Sequence, residues 1–405
     1  MRRGSNMPAV GTYNQTLVLD MIRRSPSGVS RVELAELTGL SAQTLSNVAR
    51  RLTEAELIVE GERVVAGPGK PRTLLRLNSS ARFAVGIHLD PSMDTYVVLD
   101  LSGTVVAHME VPPEDTDSTP DLIAALASNT DALLRSADVP PERVLGIGTA
   151  VPGPIDDATG MLLTPPLLPN WHHTRVRDLL IEATGLPVVV EKDVVAAMVG
   201  ELWADADHTL TDAALLYYGA GIGLGVAIDG DAVRGRTGNA GDIAHLVVDP
   251  DGPLCHCGRH GCLGVTVAPE RLLLEAGMTT SLDVPWGARR EAIDDLRSRA
   301  QGGDSRALAV CAHAAEVLAR AIVLMNNVLD AGTFVIGGPV WSRLGEQLEP
   351  VLRAVLPTIP QITTTRPLRL VEARLGTDLA AAGAACLVLD GAFTARASGL
   401  MISAR

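Results

Sequence analysis

Aromatic residues are scarce in this sequence and make up only 3% of its 405 positions. Its hydrophobic cores must therefore be built mainly from aliphatic side chains. No stretch approaches the about 20 uninterrupted apolar residues that span a membrane. Residues 1–15 also lack the apolar core and the small-residue cleavage site of a secretory signal. These absences predict a cytoplasmic protein without a membrane segment, and the chain length favours two or three domains.

Cysteine is also scarce, but its distribution is uneven. Three of the five cysteines lie within eight residues, and these are Cys255, Cys257 and Cys262. In a reducing compartment such a cluster indicates a metal site rather than a disulfide. Three cysteines and one histidine form a known tetrahedral set for structural zinc. On spacing alone, the histidine could be any of His245, His256 and His260.

Charge is distributed unevenly along the chain. The net charge is -13, yet residues 1–80 contain eleven Lys and Arg against seven Asp and Glu, a balance of +4 that leaves -17 for the remainder. An acidic body with a mildly basic N-terminal segment is expected if only that segment contacts a polyanion. Ordinary surface acidity would give the same balance, so the motifs must decide.

The N-terminal segment has the spacing of a winged helix-turn-helix. Ser30, followed three residues later by Glu33, predicts a capping box that begins one helix. Residues 38–40 predict a tight turn, and Ser41 begins the next helix, which in this motif enters the major groove of DNA. A helical hairpin with solvated charges is the alternative. The ordered series of helix, turn, second helix and basic loop favours DNA binding.

The side chains predicted to contact DNA lie on the outward face of the second helix and in a loop between two short strands. Gln and Asn suit base edges, whereas Arg and Lys suit phosphates. A Gly/Pro loop with two basic residues fits a wing that lies against the backbone or the minor groove. The predicted contacts are Ser41, Gln43, Thr44, Ser46, Asn47, Arg50, Arg51, Lys70 and Arg72.

From residue 83 onward, short strands alternate with helices, which predicts an α/β body. Three strands precede the first helix of this body, and this favours a two-lobed, actin-like and ribonuclease-H-like fold over a doubly wound dinucleotide fold. The predicted domains are a winged helix-turn-helix at 1–80, a small lobe at 81–195 with a C-terminal helix at about 376–392 packing back on it, a large lobe at 196–375, and a tail at 393–405.

Five passages of the chain resemble the ROK family of repressors, uncharacterised frames and sugar kinases. They are GIGTAVPGPIDDATG at 146–160, PNW at 169–171, LPVVVEKD at 186–193, GAGIGLGV at 219–226, and the cysteine segment. With the helix-turn-helix included, the chain resembles the family's repressor branch from about Asn14 to Gly391. The resemblance implies a sugar-responsive repressor of carbohydrate metabolism. It also implies a homodimer or homotetramer on a roughly palindromic, double-stranded DNA operator.

The resemblance also distinguishes among the zinc ligands. The family has Gly-His followed by Cys-x-Cys-Gly-x-x-Gly-Cys, which favours His245, with Ala244 in place of the Gly. It implies one structural Zn²⁺ per chain, because four protein ligands leave no open position for a catalytic water. In the family, the ring of this histidine faces the sugar.

The sugar site that the resemblance implies is altered in this chain. Asp193 matches the kinase carboxylate that takes a proton from the sugar hydroxyl. Lys192 replaces an Asn, which leaves two interpretations open: an acidic or phosphorylated sugar, or a lysine that turns outward or pairs with Glu191 or Asp193. Asp242 and Gly264 each replace a family Glu. The implied sugar-ligand residues are Gly153, Asn170, Lys192, Asp193, Asp242 and His245.

The ATP side departs further from the family. Its kinases begin with Asp-x-Gly-Gly-Thr, whereas residues 88–92 read His-Leu-Asp-Pro-Ser: His88 replaces the acid, both glycines are lost, and Pro91 removes a backbone donor. The sequence therefore predicts a regulator without kinase activity. A sugar kinase, or a bifunctional kinase-regulator that uses Asp193 as base, is one alternative. A protein-docking module with a vestigial pocket is the other.

Overall fold

The N-terminal part of the chain folds as three helices and a three-stranded antiparallel sheet. The structure is a computed structural model that describes residues 7–64, 71–360 and 367–393. In chain order the N-terminal elements are α1 (Met7–Arg23), β1 (Val29–Ser30), α2 (Arg31–Thr38), α3 (Ala42–Glu54), β2 (Ile58–Val64) and β3 (Arg72–Leu77). The strand order is β1-β3-β2. This is the winged helix-turn-helix that the sequence predicts.

Local sequence determines where α2 begins and ends. Glu33 N donates to Ser30 Oγ at 3.3 Å, and Ser30 N donates to Glu33 Oε2 at 2.8 Å, so both bonds of the capping box form. Gly39 ends the helix in a left-handed conformation with φ 69°, which glycine adopts at little cost. The turn orients α3 so that Leu45 and Leu52 are buried against the other two helices and the sheet.

A small α/β lobe follows. Its elements are β4 (Phe83–His88), β5 (Asp94–Asp100), β6 (Val105–Val111), α4 (Thr119–Ser136), β7 (Val144–Val151), β8 (Ile155–Asp156), β9 (Met161–Leu162), α5 (Val176–Thr184) and β10 (Val188–Lys192). The main sheet has the order β10-β7-β4-β5-β6, and β8 pairs with β9 separately. Strands β4, β5 and β6 are antiparallel, whereas β7 and β10 run parallel to β4 and to each other.

A larger lobe follows helix α6 (Asp193–Ala204). Its elements are β11 (Ala213–Tyr218), β12 (Ile222–Ile228), β13 (Asp231–Ala232), α7 (Leu263–Thr266), α8 (Pro269–Glu275), α9 (Trp286–Gln301), α10 (Ser305–Leu329), β14 (Thr333–Gly337), α11 (Pro339–Val355) and β15 (Arg369–Glu372). The sheet order β13-β12-β11-β14-β15 repeats that of the small lobe: three antiparallel strands, then two parallel ones beside the first. This duplication is the predicted ribonuclease-H-like, actin-like fold.

The last helix, α12 (Leu379–Phe393), lies against the small-lobe sheet although it follows β15 of the large lobe. Glycines make the close approach possible. A Cβ on Gly86 of β4 would lie 1.9 Å from Ala381 O, and one on Gly148 of β7 would lie 1.8 Å from Ala384 O. Within α12, Gly383 approaches α6 as closely, so these two helices form the layer between the sheets.

Among the residues that the structure describes, two helical stretches are long and apolar enough to cross a membrane by length and composition, namely Ser305–Leu329 and Gly376–Phe393. The most apolar windows of these stretches are 61% and 56% buried within the protein. Burial of this extent is typical of the core helices of soluble proteins. The apolar composition therefore follows from packing between the sheets and helices.

Candidate functional site

The outward face of α3 is the candidate DNA-recognition surface. Ser41 caps the helix by accepting a hydrogen bond from Thr44 N at 3.2 Å, and the opposite face of α3 is buried. Arg50 Nη1 donates to Glu54 Oε1 at 2.8 Å, which positions this guanidinium one turn from the helix end. Among the predicted contacts on this helix, Thr44 is half-buried and the exposed residues are Ser41, Gln43, Ser46, Asn47, Arg50 and Arg51.

The candidate wing lies between β2 and β3. The pairing of these strands is irregular between Glu60 and Arg63, which marks a bulge before the loop. Arg31 of α2 forms an ion pair with Glu60 at 2.8 Å and so links the helix-turn-helix to the wing strand. Arg72 is half-buried at the start of β3. Lys70 lies outside the described residues.

The four predicted metal ligands lie together in one loop, and they are His245, Cys255, Cys257 and Cys262. Their donor atoms all lie within 4.8 Å of one another. Cys255 Sγ is 3.4 Å from His245 Nδ1, and Cys257 Sγ is 3.6 Å from Cys262 Sγ. Bonds of about 2.0–2.3 Å to zinc place tetrahedral ligands about 3.5–3.8 Å apart. The donor set therefore fits a single metal ion with small shifts.

The other two candidate histidines lie outside this four-residue group. His256 packs edge-on against the His245 ring, with centroids 5.0 Å apart, and His260 Nδ1 lies 3.1 Å from Gly252 O. The loop closes at Gly261, where a Cβ would lie 1.4 Å from Asp249 O. Only glycine fits there, so the loop requires this residue in order to bring the ligands together.

The cysteine thiols have different surroundings. Hydrogen bonds from the Arg259 backbone N–H and guanidinium lower the pKa of Cys257 to about 6. Burial raises the pKa of Cys262 to about 11. Zinc binds thiolates, so metal binding at neutral pH would release a proton from Cys262.

Asp193 and Lys192 lie where β10 ends and α6 begins. Asp193 Oδ1 accepts a hydrogen bond from Val194 N at 2.7 Å, and burial raises the pKa of this carboxyl, opposed by the charges of His88 and Lys192. Lys192 is only 8% exposed, and its Nζ donates to Asn239 O at 3.2 Å and to Ala240 O at 3.1 Å. The ammonium group therefore neither turns outward nor pairs with Glu191.

The loop that receives Lys192 was not identified from the sequence. Asn239 Oδ1 accepts from Ile155 N at 2.9 Å, and Asn239 Nδ2 donates to Ile155 O at 2.9 Å. A Cβ on Gly153 would lie 3.0 Å from Asn239 Oδ1 and 3.4 Å from Lys192 Cε. Asn239 therefore links the Gly153 turn to the large-lobe loop. An Asn in the glycine-containing segment GNAGD is the signal that could have been noticed.

The remaining predicted sugar-ligand residues have different surroundings. Asp242 is exposed at the end of the Asn239 loop, three residues before His245, which is half-buried. The side-chain amide of Asn170 donates from Nδ2 to Thr116 O at 3.0 Å, which is a contact within the small lobe. The structure places Gly153 beside the side chain of Lys192, which directly precedes Asp193 in the chain.

Two departures from the family pattern are in direct contact. Gly264 N donates to Ala244 O at 2.8 Å. A Cβ on Gly264 would lie 3.0 Å from Ala244 Cβ and 3.1 Å from Ala244 O. The extra methyl at residue 244 and the missing side chain at residue 264 therefore form one exchange beside the metal loop.

Residues 88–92 form the turn between β4 and β5. Aspartate side chains accept hydrogen bonds from the backbone N–H groups of this turn. Asp90 Oδ1 accepts hydrogen bonds from Ser92 N at 2.8 Å and from Ser92 Oγ. Asp94 Oδ1 accepts one from Asp90 N at 3.3 Å. Burial, together with the charges of Asp90 and Glu114, raises the pKa of Asp94 to about 8. The turn therefore satisfies these amides with side chains of its own.

The winged helix contacts the body at the end of α6 opposite Asp193. Arg23 Cζ lies 4.0 Å from the centroid of the Trp203 ring, and Arg23 Nη1 donates to Trp203 O at 3.1 Å. Arg24 Nη1 donates to Asp205 O at 3.1 Å. A helix of 12 residues spans about 18 Å. One rigid element therefore begins in the candidate sugar site and ends at the DNA-binding unit.

Comparison with known families matches both parts of the chain. The sequence profile of the ROK family matches residues 86–391. That of the MarR family, whose members carry a winged helix-turn-helix, matches residues 12–65. The MarR profile ends directly after β2 and the ROK profile begins within β4, so the interval between them contains β3 and the passage from the winged helix to the small lobe.

Individual relatives include repressors and kinases. The xylose repressor of Bacillus spizizenii is 26% identical over 351 residues, which cover 85% of this chain and 89% of the repressor. The glucokinase of Halalkalibacterium halodurans is 31% identical over 278 residues, which cover 66% of this chain and 83% of the kinase. A solved ROK family transcriptional regulator, a homologue of the Escherichia coli Mlc protein, has a TM-score of 0.76 at 24% identity, covering 97% of this chain and 98% of its own.

Proposed function

Because the chain belongs to the ROK family, we propose that it is a sugar-responsive transcriptional repressor of carbohydrate metabolism. The observation that carries this proposal is a winged helix with an exposed recognition face joined to the family's two-lobed body. A metabolic kinase has no use for such a unit. In this scheme residues 1–80 bind DNA, and lobes at about 81–195 and 196–375 bind the effector.

The predicted DNA contacts follow from the exposed face of α3. Gln43 and Asn47 would read base edges, whereas Arg50 and Arg51 would contact phosphates. Gel shifts with the promoter region of the protein's own gene test this assignment. We expect Asn47→Ala to lose specific binding, whereas Arg135→Ala, an exposed arginine on α4, should bind as the unsubstituted protein does. The absence of any specific complex at moderate salt would contradict the proposal.

We propose that the effector is a sugar or a sugar derivative bound between the lobes by Gly153, Lys192 and Asp193, with Asn170, Asp242 and His245 nearby. The Asp193 carboxylate would accept a hydrogen bond from a sugar hydroxyl. Lys192 has two of its three N–H groups on backbone carbonyls, so its third can donate to a sugar oxygen. This geometry supports a neutral sugar as well as an acidic or phosphorylated one.

The DNA response would arise from the movement of the lobes about this site. A ligand that binds one arrangement more tightly shifts the population toward it. Because α6 connects Asp193 with the Arg23 and Trp203 contact, a shift at the sugar would reorient the winged helix. We propose that paired winged helices in a homodimer or homotetramer of this cytoplasmic protein read a roughly palindromic operator.

We propose that the four-residue metal group holds one structural Zn²⁺ per chain. Its chemistry would be structural: the four protein ligands saturate a tetrahedral ion, so His245 would be fixed in orientation at the edge of the sugar cleft. Metal analysis of purified protein tests this assignment, with one zinc per chain expected. A stoichiometry near zero after purification without chelator would contradict it.

We propose that the chain does not transfer phosphate. The side chains of Asp90 and Asp94 accept hydrogen bonds from the turn amides that would otherwise approach a triphosphate, and the Asp90 carboxylate would repel it. The kinase relative favours the alternative of a sugar kinase or bifunctional kinase-regulator. A coupled ATP assay over a panel of hexoses decides between them. Turnover that Asp193→Asn abolishes would establish the kinase.

A further inference from the structure

Residues 234–240 of the large lobe form a short loop, here called the clasp, that reaches the small lobe beside the candidate sugar site. Both ends of the clasp are held by strand β12 of the large lobe. Val233 N donates to Val226 O at 2.8 Å before the clasp, and Leu224 N donates to Gly241 O at 2.9 Å after it. The clasp is therefore a defined extension of the large-lobe sheet.

The side chain of Asn239 makes the first attachment of the clasp to the small lobe. It donates to Ile155 O and accepts from Ile155 N, both at 2.9 Å, and Ile155 is 1% exposed. Its Nδ2 also donates to Thr237 O at 2.7 Å within the clasp. One amide thus supplies both the donor and the acceptor that contact the Ile155 backbone. An alanine at residue 239 would lose both of these bonds between the lobes.

An ion pair makes the second attachment. Arg234 Nε donates to Glu191 Oε2 of β10 at 2.6 Å. The side chain of Glu191 is 4% exposed, whereas that of Arg234 is 31% exposed. A buried carboxylate is costly unless a cation and hydrogen bonds compensate it, and charge-assisted hydrogen bonds are stronger than neutral ones. The pair therefore holds the first residue of the clasp against the small lobe.

The ammonium group of Lys192 makes the third attachment. It donates to Asn239 O at 3.2 Å and to Ala240 O at 3.1 Å, so it holds the last two residues of the clasp. Together the three attachments join the large lobe to strands β8 and β10 of the small lobe. All of them are bonds between protein groups, and therefore none of them requires a sugar.

The attachments of the clasp are adjacent in the chain to both halves of the proposed sugar site. On the small lobe, Ile155 follows Gly153 by two residues, and Lys192 directly precedes Asp193. On the large lobe, Asp242 follows the clasp by two residues. Because the proposed sugar-ligand residues belong to different lobes, their relative positions depend on how the lobes are joined. The clasp makes that junction at the site itself.

We infer that Arg234 and Asn239 are positioning residues, which hold the two lobes closed over the sugar site before a sugar binds. The inference rests on the proposed function for the sugar, but the closed lobes can be measured without one. When only a fraction of the molecules is competent to bind, the apparent affinity falls by that fraction. The clasp raises this fraction, while rotation of the lobes about the clasp remains available to the proposed DNA response.

Hydrogen exchange of the full chain, purified without sugar, tests the closed lobes. We expect slow exchange in segments 150–165 and 234–245, and Arg234→Ala should accelerate both by roughly tenfold, the effect of losing one charge-assisted hydrogen bond. Segment 150–165 is decisive, because the Arg234 side chain bonds to Glu191 and, among the described residues, to none of this segment. Arg236→Ala, an exposed arginine of the same clasp, should exchange as the unsubstituted protein does. Exchange in α10 reports whether each variant is folded.

Calorimetry with D-glucose and D-xylose tests the positioning role. A sugar that binds the unsubstituted protein should bind Arg234→Ala and Asn239→Ala about tenfold more weakly, as expected when about a tenth of the molecules remain closed. Arg234→Lys keeps the cation beside Glu191 and should recover part of the loss. Arg236→Ala should bind the sugar as the unsubstituted protein does.

Fast exchange of segment 150–165 in the unsubstituted protein, or exchange that neither Arg234→Ala nor Asn239→Ala accelerates, would overturn the inference. A sugar affinity that both variants leave unchanged would also overturn it. If neither sugar binds the unsubstituted protein, the proposed response to these sugars fails, and accelerated exchange in both variants would still support the closed lobes.

Discussion

The metal loop and the 88–92 turn have diverged from the family pattern in opposite ways. The loop keeps all four donor residues, with their donor atoms within 4.8 Å of one another. The turn contains no glycine, and the side chains of Asp90 and Asp94 accept hydrogen bonds from its amides. The first arrangement supports folding, because metal binding energy is folding energy. Under the proposed function, the second would serve only phosphate, and a chain that transfers none could fill it.

The difference indicates which parts of a kinase-like body a regulator must keep. In the proposed scheme it needs two lobes that close on an effector. It does not need a bare phosphate loop. The candidate sugar site is intermediate: Asp193 remains, while Lys192 now organises the Asn239 loop.

The largest expected effect is at the metal loop. Cys262→Ser should lose the metal and lower the free energy of unfolding by roughly 4 kcal/mol or more, as loss of a structural ion does. Denaturant titration with parallel zinc analysis measures both quantities. Cys311→Ala is the matched control, because it alters a buried cysteine outside the loop and should leave the zinc content unchanged. Full zinc content in Cys262→Ser would contradict the assignment of Cys262 as a metal ligand.

Substitutions at the contact between Gly264 and Ala244 should change the free energy of unfolding by roughly 1–3 kcal/mol. Gly264→Glu restores the family residue but brings its Cβ to 3.0 Å from that of Ala244, so it should destabilise the fold by overpacking. Adding Ala244→Gly should recover most of the loss, and the coupling would show in a double-mutant cycle. Additive effects would mean that the two departures arose independently.

The smallest expected effect is at the 88–92 turn, and it depends on pH. The pKa of Asp94 is raised from 3.8 to about 8 in the fold. The folded state therefore holds a proton between these values that the unfolded state has released, and this contribution to stability is lost as pH rises through about 8. Asp94→Asn should remove this dependence, and over the single unit from pH 6 to pH 7 the two proteins should differ in their change of stability by about 1.4 kcal/mol. If the free energy of unfolding changes equally with pH in both proteins, this would contradict a buried, protonated Asp94 that accepts a hydrogen bond within the turn.

Much of the fold could be predicted because its signals are local. Strands β7 and β11 are examples, since each is a predominantly apolar run that is followed by turn residues. The capping box at Ser30 and Glu33 likewise needs only neighbouring residues. The start of helix α1 is harder to predict: it begins at Met7, and Pro8 is tolerated there because it lies in the first turn. Strand β2 extends through Gly61, which weakens the strand pattern in the sequence.

The candidate site was less predictable because its contacts are distant in sequence. Asn239 bonds to Ile155, 84 residues away, and no periodicity reveals such a pair. The donors of Lys192 are likewise directed to carbonyls of a loop 47 and 48 residues further on. Long-range packing of the two lobes, rather than local pattern, brings these groups together.

The most direct test of the repressor proposal is operator affinity measured with and without sugar, using D-xylose, D-glucose and glucose 6-phosphate as probes. We expect a specific complex at moderate salt. One probe should change its affinity by about 5- to 150-fold, the usual range of coupling between two sites, and Asp193→Asn should bind DNA equally well without this response. A protein that forms no specific complex, or whose complex ignores all three probes in both forms, would contradict the account.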